Sequence, residues 1–165
     1  MRDQDFERLY NEHAAGLLAF LVYRSGNPAL AEDLLADTFE RVLRARRPFE
    51  RRKATEKTWL YTIALNLLRD HARRTAAGAR ALERVNVGER RVQPEHDFEA
   101  VEQRDSLQRA LATLSDEERE AIALRYGADL TVPEIARVTR EKLTTVEGRV
   151  YRALRKLKDE LGVRE

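Results

Sequence analysis

Leucines and aromatic residues recur along this chain at spacings of three and four, the period of a helix that buries one face. Phe6, Leu9, Tyr10, Leu17, Leu18 and Leu21 form the first such face, and Asp3 and Asp5 precede it, where acidic groups complement the helix dipole. Gly26 is placed to end that helix in the left-handed region. Asn27-Pro28 then restarts it, Asn as cap and Pro at the first helical position. The second face is Leu30, Leu34, Leu35, Phe39, Val42 and Leu43, running to about Arg46 before Pro48 breaks it. A third helix is predicted from Trp59 to about Thr75, with Trp59, Ile63 and Leu67 four residues apart and Leu60 and Leu68 widening the stripe. Trp59 lies on that stripe and is expected in the core.

From residue 75 to 98 the periodicity fades into a glycine- and proline-containing stretch that reads as a linker. A second helical block follows, opening with Val101, Leu107, Leu111 and Leu114. Three capping boxes, in which a Ser or Thr precedes a Glu by three residues, mark helix starts at Ser115/Glu118, Thr131/Glu134 and Thr144/Glu147. The last helix turns Val146, Val150, Leu154 and Leu157 inward and runs to about Leu161. A short helix at 131–138, a tight turn and a basic helix from Thr144 fit a helix-turn-helix. β-branched residues never alternate, so no strand is predicted. The fold class is all-α: two small helical domains joined by a linker, with boundaries 1–76, 77–98 and 99–165, the second a four-helix domain with a helix-turn-helix.

Charge adds a second pattern. The net charge of +2 conceals blocks of −5 (residues 1–40), +9 (41–84), −5 (85–129) and +3 (130–165). Two basic blocks offer two places for a polyanion, and the acidic blocks offer faces for something else. The +9 block contains a basic loop that feeds the Trp59 helix, whose polar face carries Thr62, Asn66, Arg69 and Arg73. Such a face suits holding phosphates and inspecting bases, or is a solvated charged surface on a core helix.

The absence of cysteine excludes disulfides and thiolate metal sites. His13, His71 and His96 lack ligand spacing, and no glycine-rich phosphate loop occurs, so neither an enzyme, a cofactor nor a metal is expected. No apolar run reaches a membrane span and no signal-peptide pattern opens the chain, which makes the cytoplasm the expected location.

Taken together, these residues resemble an extracytoplasmic-function (ECF) sigma factor of the sigma-70 family. The resemblance is carried by Ala31-Glu32-Asp33-Leu34, Asp37-Thr38-Phe39 and Arg41-Val42, then by Trp59 to Ala64 with Asn66 and Arg69 to Arg74. In the second block it is carried by Glu118-Arg119, Leu124-Arg125-Tyr126, Glu134-Ile135-Ala136, Thr145-Val146, Arg149 and Arg152-Ala153. It implies a protein that is not itself an enzyme, binds core RNA polymerase through the β′ coiled coil and the β flap, reads promoter DNA, and is held by an anti-sigma factor. By resemblance, Glu32, Asp33, Asp37, Phe39 and Arg41 would contact the polymerase. Phe49, Arg51, Arg52, Lys53, Thr62, Asn66, Arg69 and Arg73 would read and melt the −10 element. Thr144, Thr145, Arg149, Arg152, Arg155 and Lys156 would read the −35 element.

The chain departs from the family pattern at Leu30, Arg140, Glu141, Glu147 and Gly148. Glu147 is expected to be the third residue of a cap on Thr144, leaving phosphate contact to Arg149, Arg152 and Arg155; only if that cap fails would it read as an acceptor for a base-edge donor. Two other functions stay open. An ordinary helix-turn-helix regulator would carry a strand-rich receiver or ligand domain upstream, and the first 75 residues show none. A degenerate sigma-like interaction protein would bind polymerase or an anti-sigma factor without DNA.

Overall fold

A computed structural model of the chain describes residues 2–45, 55–79 and 98–163. Among these no strand occurs, as predicted. Helix α1 spans Asp3–Ser25, α2 Pro28–Arg44 and α3 Glu56–Ala79. Gly26 ends α1 at φ 65°, its N–H bonded to the Val22 carbonyl. Asn27 caps α2, its side-chain oxygen accepting from the N–H groups of Ala29 and Leu30. With so short a connection the two helices fold back on each other, and α3 packs against both.

The second block holds α4 (Phe98–Ala112), α5 (Asp116–Ile122), α6 (Val132–Thr139) and α7 (Leu143–Leu161). A turn of π-helix, Ala123–Gly127, prolongs α5. Helices α4, α5 and α6 all lie against α7. Helix α3 continues to Ala79, beyond the expected end near Thr75. The remainder of the proposed linker, 80–97, lies outside the described residues, as does the basic loop with Phe49, Arg51, Arg52 and Lys53.

Two expectations need correction. The deepest positions of α3 are Leu60, Tyr61, Ala64, Leu65 and Leu67, while Trp59 and Ile63 are half-buried at the edge of the core. The helix is rotated from the predicted stripe because it is covered from more than one side: α1 and α2 lie against it, and so does α6. Second, α7 begins at Leu143 with Lys142 as N-cap, and no side chain caps it. The Thr144 box is therefore not formed, and Glu147 is an exposed residue one turn further along. The other two boxes are complete: Ser115 with Glu118, and Thr131 with Glu134, each bonded in both directions.

The core is continuous between the blocks, with Leu17, Leu21, Leu60 and Leu65 in one and Leu124, Leu130, Ile135 and Val146 in the other. Each fully buried leucine contributes roughly 1.5–3 kcal/mol.

The three boxes give a graded test. Ser115→Ala and Thr131→Ala are expected to cost about 1 kcal/mol each, whereas Thr144→Ala stays within about 0.5 kcal/mol of the parent. Urea unfolding of the three variants measures this; a Thr144→Ala loss equal to the others would restore the Thr144 cap.

Candidate nucleic-acid and partner interface

Three surfaces carry the residues singled out by the sequence. The first is the outer face of α2. Glu32, Asp33, Asp37 and Arg41 are exposed, and the last three lie at i, i+4 and i+8 on one side. Neither aspartate pairs with a described cation. Leu34, Thr38, Phe39 and Val42 are buried on the opposite side. Phe39, expected at the polymerase surface, is only 4% exposed. It lies in an aromatic cluster, with ring centroids 5.9 Å from Phe6 and 4.8 Å from Tyr10. Its position is that of a strut holding α1 to α2, while the exposed Tyr10 and Leu43 add apolar surface to this part of the bundle.

The second surface is the polar face of α3. Thr62, Asn66, Arg69 and Arg73 do share one side of the helix, but they are differently engaged. Thr62 donates to the Thr58 carbonyl at 2.7 Å, and Arg73 pairs with Asp70 on its own helix. Arg69 reaches out of the first block to Glu120 on α5, at 2.7 Å. Arg24, at the end of α1, stands 3.7 Å from the same carboxylate. Arg24 and Glu120 are only 15% and 14% exposed, so this junction is largely withdrawn from water. No sequence signal pointed to it, because Arg24 and Arg69 precede Glu120 by 96 and 51 residues and only the fold brings them together.

Near the start of α3, Arg8 donates to both carboxylate oxygens of Glu56 at 3.0 and 2.8 Å and to Glu12 at 3.2 Å. These acceptors raise the Arg8 pKa, the Glu56 hydrogen bonds most of all. His13 lies beside the same pair, giving Glu12, His13 and Glu56 the donor types of a metal site. Arg8 already supplies the positive charge those carboxylates need, and the arrangement is a structural clamp between α1 and α3.

The third surface is the helix-turn-helix. Arg140 ends α6 in the left-handed region at φ 57°, where glycine is the usual residue. The Glu141 N–H bonds back to the Ala136 carbonyl at 3.0 Å, which closes the turn. Glu141 then pairs with Arg149 across the turn, so the acidic residue at a position expected to be apolar secures α7 to it. Lys156 is also committed, donating to both oxygens of Glu118 at 3.1 and 2.9 Å. Glu118 is buried, and its pKa is lowered, first by the Lys156 hydrogen bond and then by its bond from the Ser115 N–H.

Thr144, Arg152 and Arg155 remain exposed on α7, with Thr145 half-buried. Sequence reasoning missed Tyr151, which is 67% exposed on the same outward side, seven residues after Thr144. An aromatic residue so exposed on a basic helix was the available signal.

Residues 9–78 match the family Sigma-70 region 2, and residues 104–157 match Sigma-70, region 4. The chain is 32% identical over 154 residues to the ECF RNA polymerase sigma factor BldN of Streptomyces coelicolor, covering 92% of this chain and 58% of that protein. It is 30% identical over 162 residues to the ECF RNA polymerase sigma factor SigL of Mycobacterium tuberculosis, covering 94% of this chain and 89% of SigL. With SigE of Mycolicibacterium smegmatis the identity is 32%, and the chain spans 62% of that protein's length. The sigma factor RpoE of Bartonella quintana, solved with the anti-sigma factor NepR, has a similar fold: TM-score 0.80 at 25% identity, covering 98% of this chain and 99% of that one.

Replacing Glu120 by alanine is expected to loosen the two blocks and to release Arg69. A double-mutant cycle with Arg69→Ala should return a coupling of about 1 kcal/mol, since the arginine keeps some water contact. Solution scattering should show a larger radius for the Glu120→Ala protein at unchanged helix content. Unchanged dimensions and zero coupling would mean the pair does not hold the blocks.

Proposed function

The chain belongs to the ECF sigma factors of the sigma-70 family, and from that premise we propose that it binds core RNA polymerase and directs transcription from specific promoters. In this reading it is not itself an enzyme and works in the cytoplasm. Among the described residues no helix is long and apolar enough to cross a membrane. Residues 1–76 contact the polymerase and the −10 element, 77–98 form the linker and 99–165 contact the −35 element and the β flap. The observation that carries this is the order of the two family matches, each falling on the block whose surface suits its task.

The chemistry divides among the three surfaces. Asp33 and Asp37, exposed and paired with no described cation, offer charge to a basic partner such as the β′ coiled coil, which raises association rates and sets register. Asn66, Arg69 and Arg73 provide hydrogen-bonding and cationic groups toward an unstacked strand, where stacking and charge recover roughly 1–3 kcal/mol per base. Thr144, Arg152, Arg155 and Tyr151 face the major groove, arginines toward phosphates or guanine. Because Arg69 is held by Glu120, reading the −10 element requires the junction to open. A bound anti-sigma factor that favours the closed arrangement would keep Arg69 from DNA; RpoE, which shares the fold, was solved with an anti-sigma factor, NepR.

A second reading has one observation in its favour. Arg69, Arg73, Arg149 and Lys156, four of the six described cations assigned to DNA, are engaged in ion pairs within the protein. A sigma-like protein that binds polymerase or an anti-sigma factor without DNA would tolerate that.

Adding the protein to core polymerase and mapping transcript starts across genomic DNA distinguishes the two. New, sequence-defined starts support the sigma reading; polymerase binding without any new start supports the second. Charge reversal at Asp33 and Asp37 together is expected to weaken core binding on the order of tenfold or more with the thermal transition unchanged. Replacing Arg69 and Arg73 by alanine should lower open-complex formation roughly tenfold while core affinity holds. Permanganate reactivity of the melted strand reads that effect, and full reactivity in the double variant would remove these arginines from the melting face.

A further inference from the structure

Glu147 performs no task in the fold. Helix α7 starts at Leu143, so Glu147 is not the third residue of a cap on Thr144. Its side chain is exposed and bonds to no described residue. Three other carboxylates of this block are partnered: Glu141 by Arg149, Glu118 by Lys156, and Glu134 by a hydrogen bond from the Thr131 N–H. Glu147 is left as a bare negative charge in the second turn of the helix that the helix-turn-helix presents.

Its surroundings are those of a reading position. It follows Thr144 by three residues and precedes Tyr151 by four, so it borders both on the helix surface, and both are exposed. The next residue is Gly148, where the helix backbone carries no side chain. Only the Arg152 guanidinium lies across it, with Nη1 3.0 Å from where a Cβ would stand. The end of a flexible arginine can move aside, so a base edge can come close.

The early turns of the second helix meet base edges in this architecture. A carboxylate there is repelled by phosphate, and the base-edge group that suits it in the major groove is the 4-amino group of cytosine. We propose that Glu147 is a specificity-determining residue that accepts a hydrogen bond from one cytosine of the −35 element. The proposal rests on the promoter-reading function above and names one contact within it. The carboxylate has only acceptor oxygens, so guanine and thymine, which present acceptors at the same place, are disfavoured.

The test uses holoenzyme formed from core polymerase and the full chain, with a promoter library randomised upstream of the −10 region. The protein should select cytosine at one −35 position by roughly five- to hundredfold over guanine or thymine. In Glu147→Gln holoenzyme the preference at that position alone should move toward adenine, which a glutamine amide matches in both donor and acceptor. Glu147→Ala should lose the preference there and keep the others. Identical selected sequences for the parent and both variants would overturn the role of Glu147 while leaving the sigma reading in place. So would a Glu147→Gln protein that binds every sequence more tightly by the same factor, the behaviour of simple repulsion from phosphate. If the parent holoenzyme initiates at no defined sequence, the sigma reading fails first and the contact with it.

Discussion

Glu120 receives Arg69 at 2.7 Å and stands 3.7 Å from Arg24, and this carboxylate ties both arginines of the first block to the second where the shared core joins them. It lies on α5, while its partners come from α3 and α1. Attraction between such groups strengthens as water is excluded, and so does the cost of leaving any one of them alone. Apolar packing of α3 on α6 brings the blocks together without direction. The carboxylate and its two arginines add direction, because ion pairs need their partners at matched positions.

The same interaction sets two states against each other. Arg69 can be neutralised by Glu120 or by a nucleic-acid phosphate, and not fully by both. A ligand shifts such an equilibrium only by the difference in its affinity for the two arrangements. Under the proposed function, DNA and polymerase would favour an open arrangement, and a partner that grips both blocks would favour the closed one. A modest contact on the surface of α5 can therefore affect a promoter-reading helix in the other block.

Within the second block, ion pairs consume part of the charge that composition alone assigns to DNA. Arg149 secures the turn through Glu141, and Lys156 holds the buried Glu118, which also caps α5. Thr144, Tyr151, Arg152 and Arg155 stay exposed on α7, with Glu147 beside them. The departures from the family pattern at Arg140 and Glu141 are thus accommodated by the fold: Arg140 takes the left-handed turn, and Glu141 finds its cation. Glu147 bonds to no described residue, and the recognition role proposed for it rests on that.

By itself the sequence determined the number of helices in each block, the all-α class, the Gly26 and Asn27 junction and the capping boxes at Ser115 and Thr131. These rest on interactions between residues at most a few positions apart, which a linear pattern records. It also placed Asp33 and Asp37 on one exposed face, and Thr62, Asn66, Arg69 and Arg73 on another, because helical period alone decides that. Tertiary structure decided what those side chains are free to do. Phe39 went beneath Phe6 and Tyr10 because α1 covers it. Helix α3 turned Tyr61, Ala64 and Leu65 inward ahead of Trp59 and Ile63 because α6 also packs on it. Arg69 and Lys156 found carboxylates far away in the chain, and α7 began before Thr144 could cap it. Periodicity specifies a face, but the partner that face meets is set by the packing of distant helices, and that is where charge is either spent internally or left for DNA.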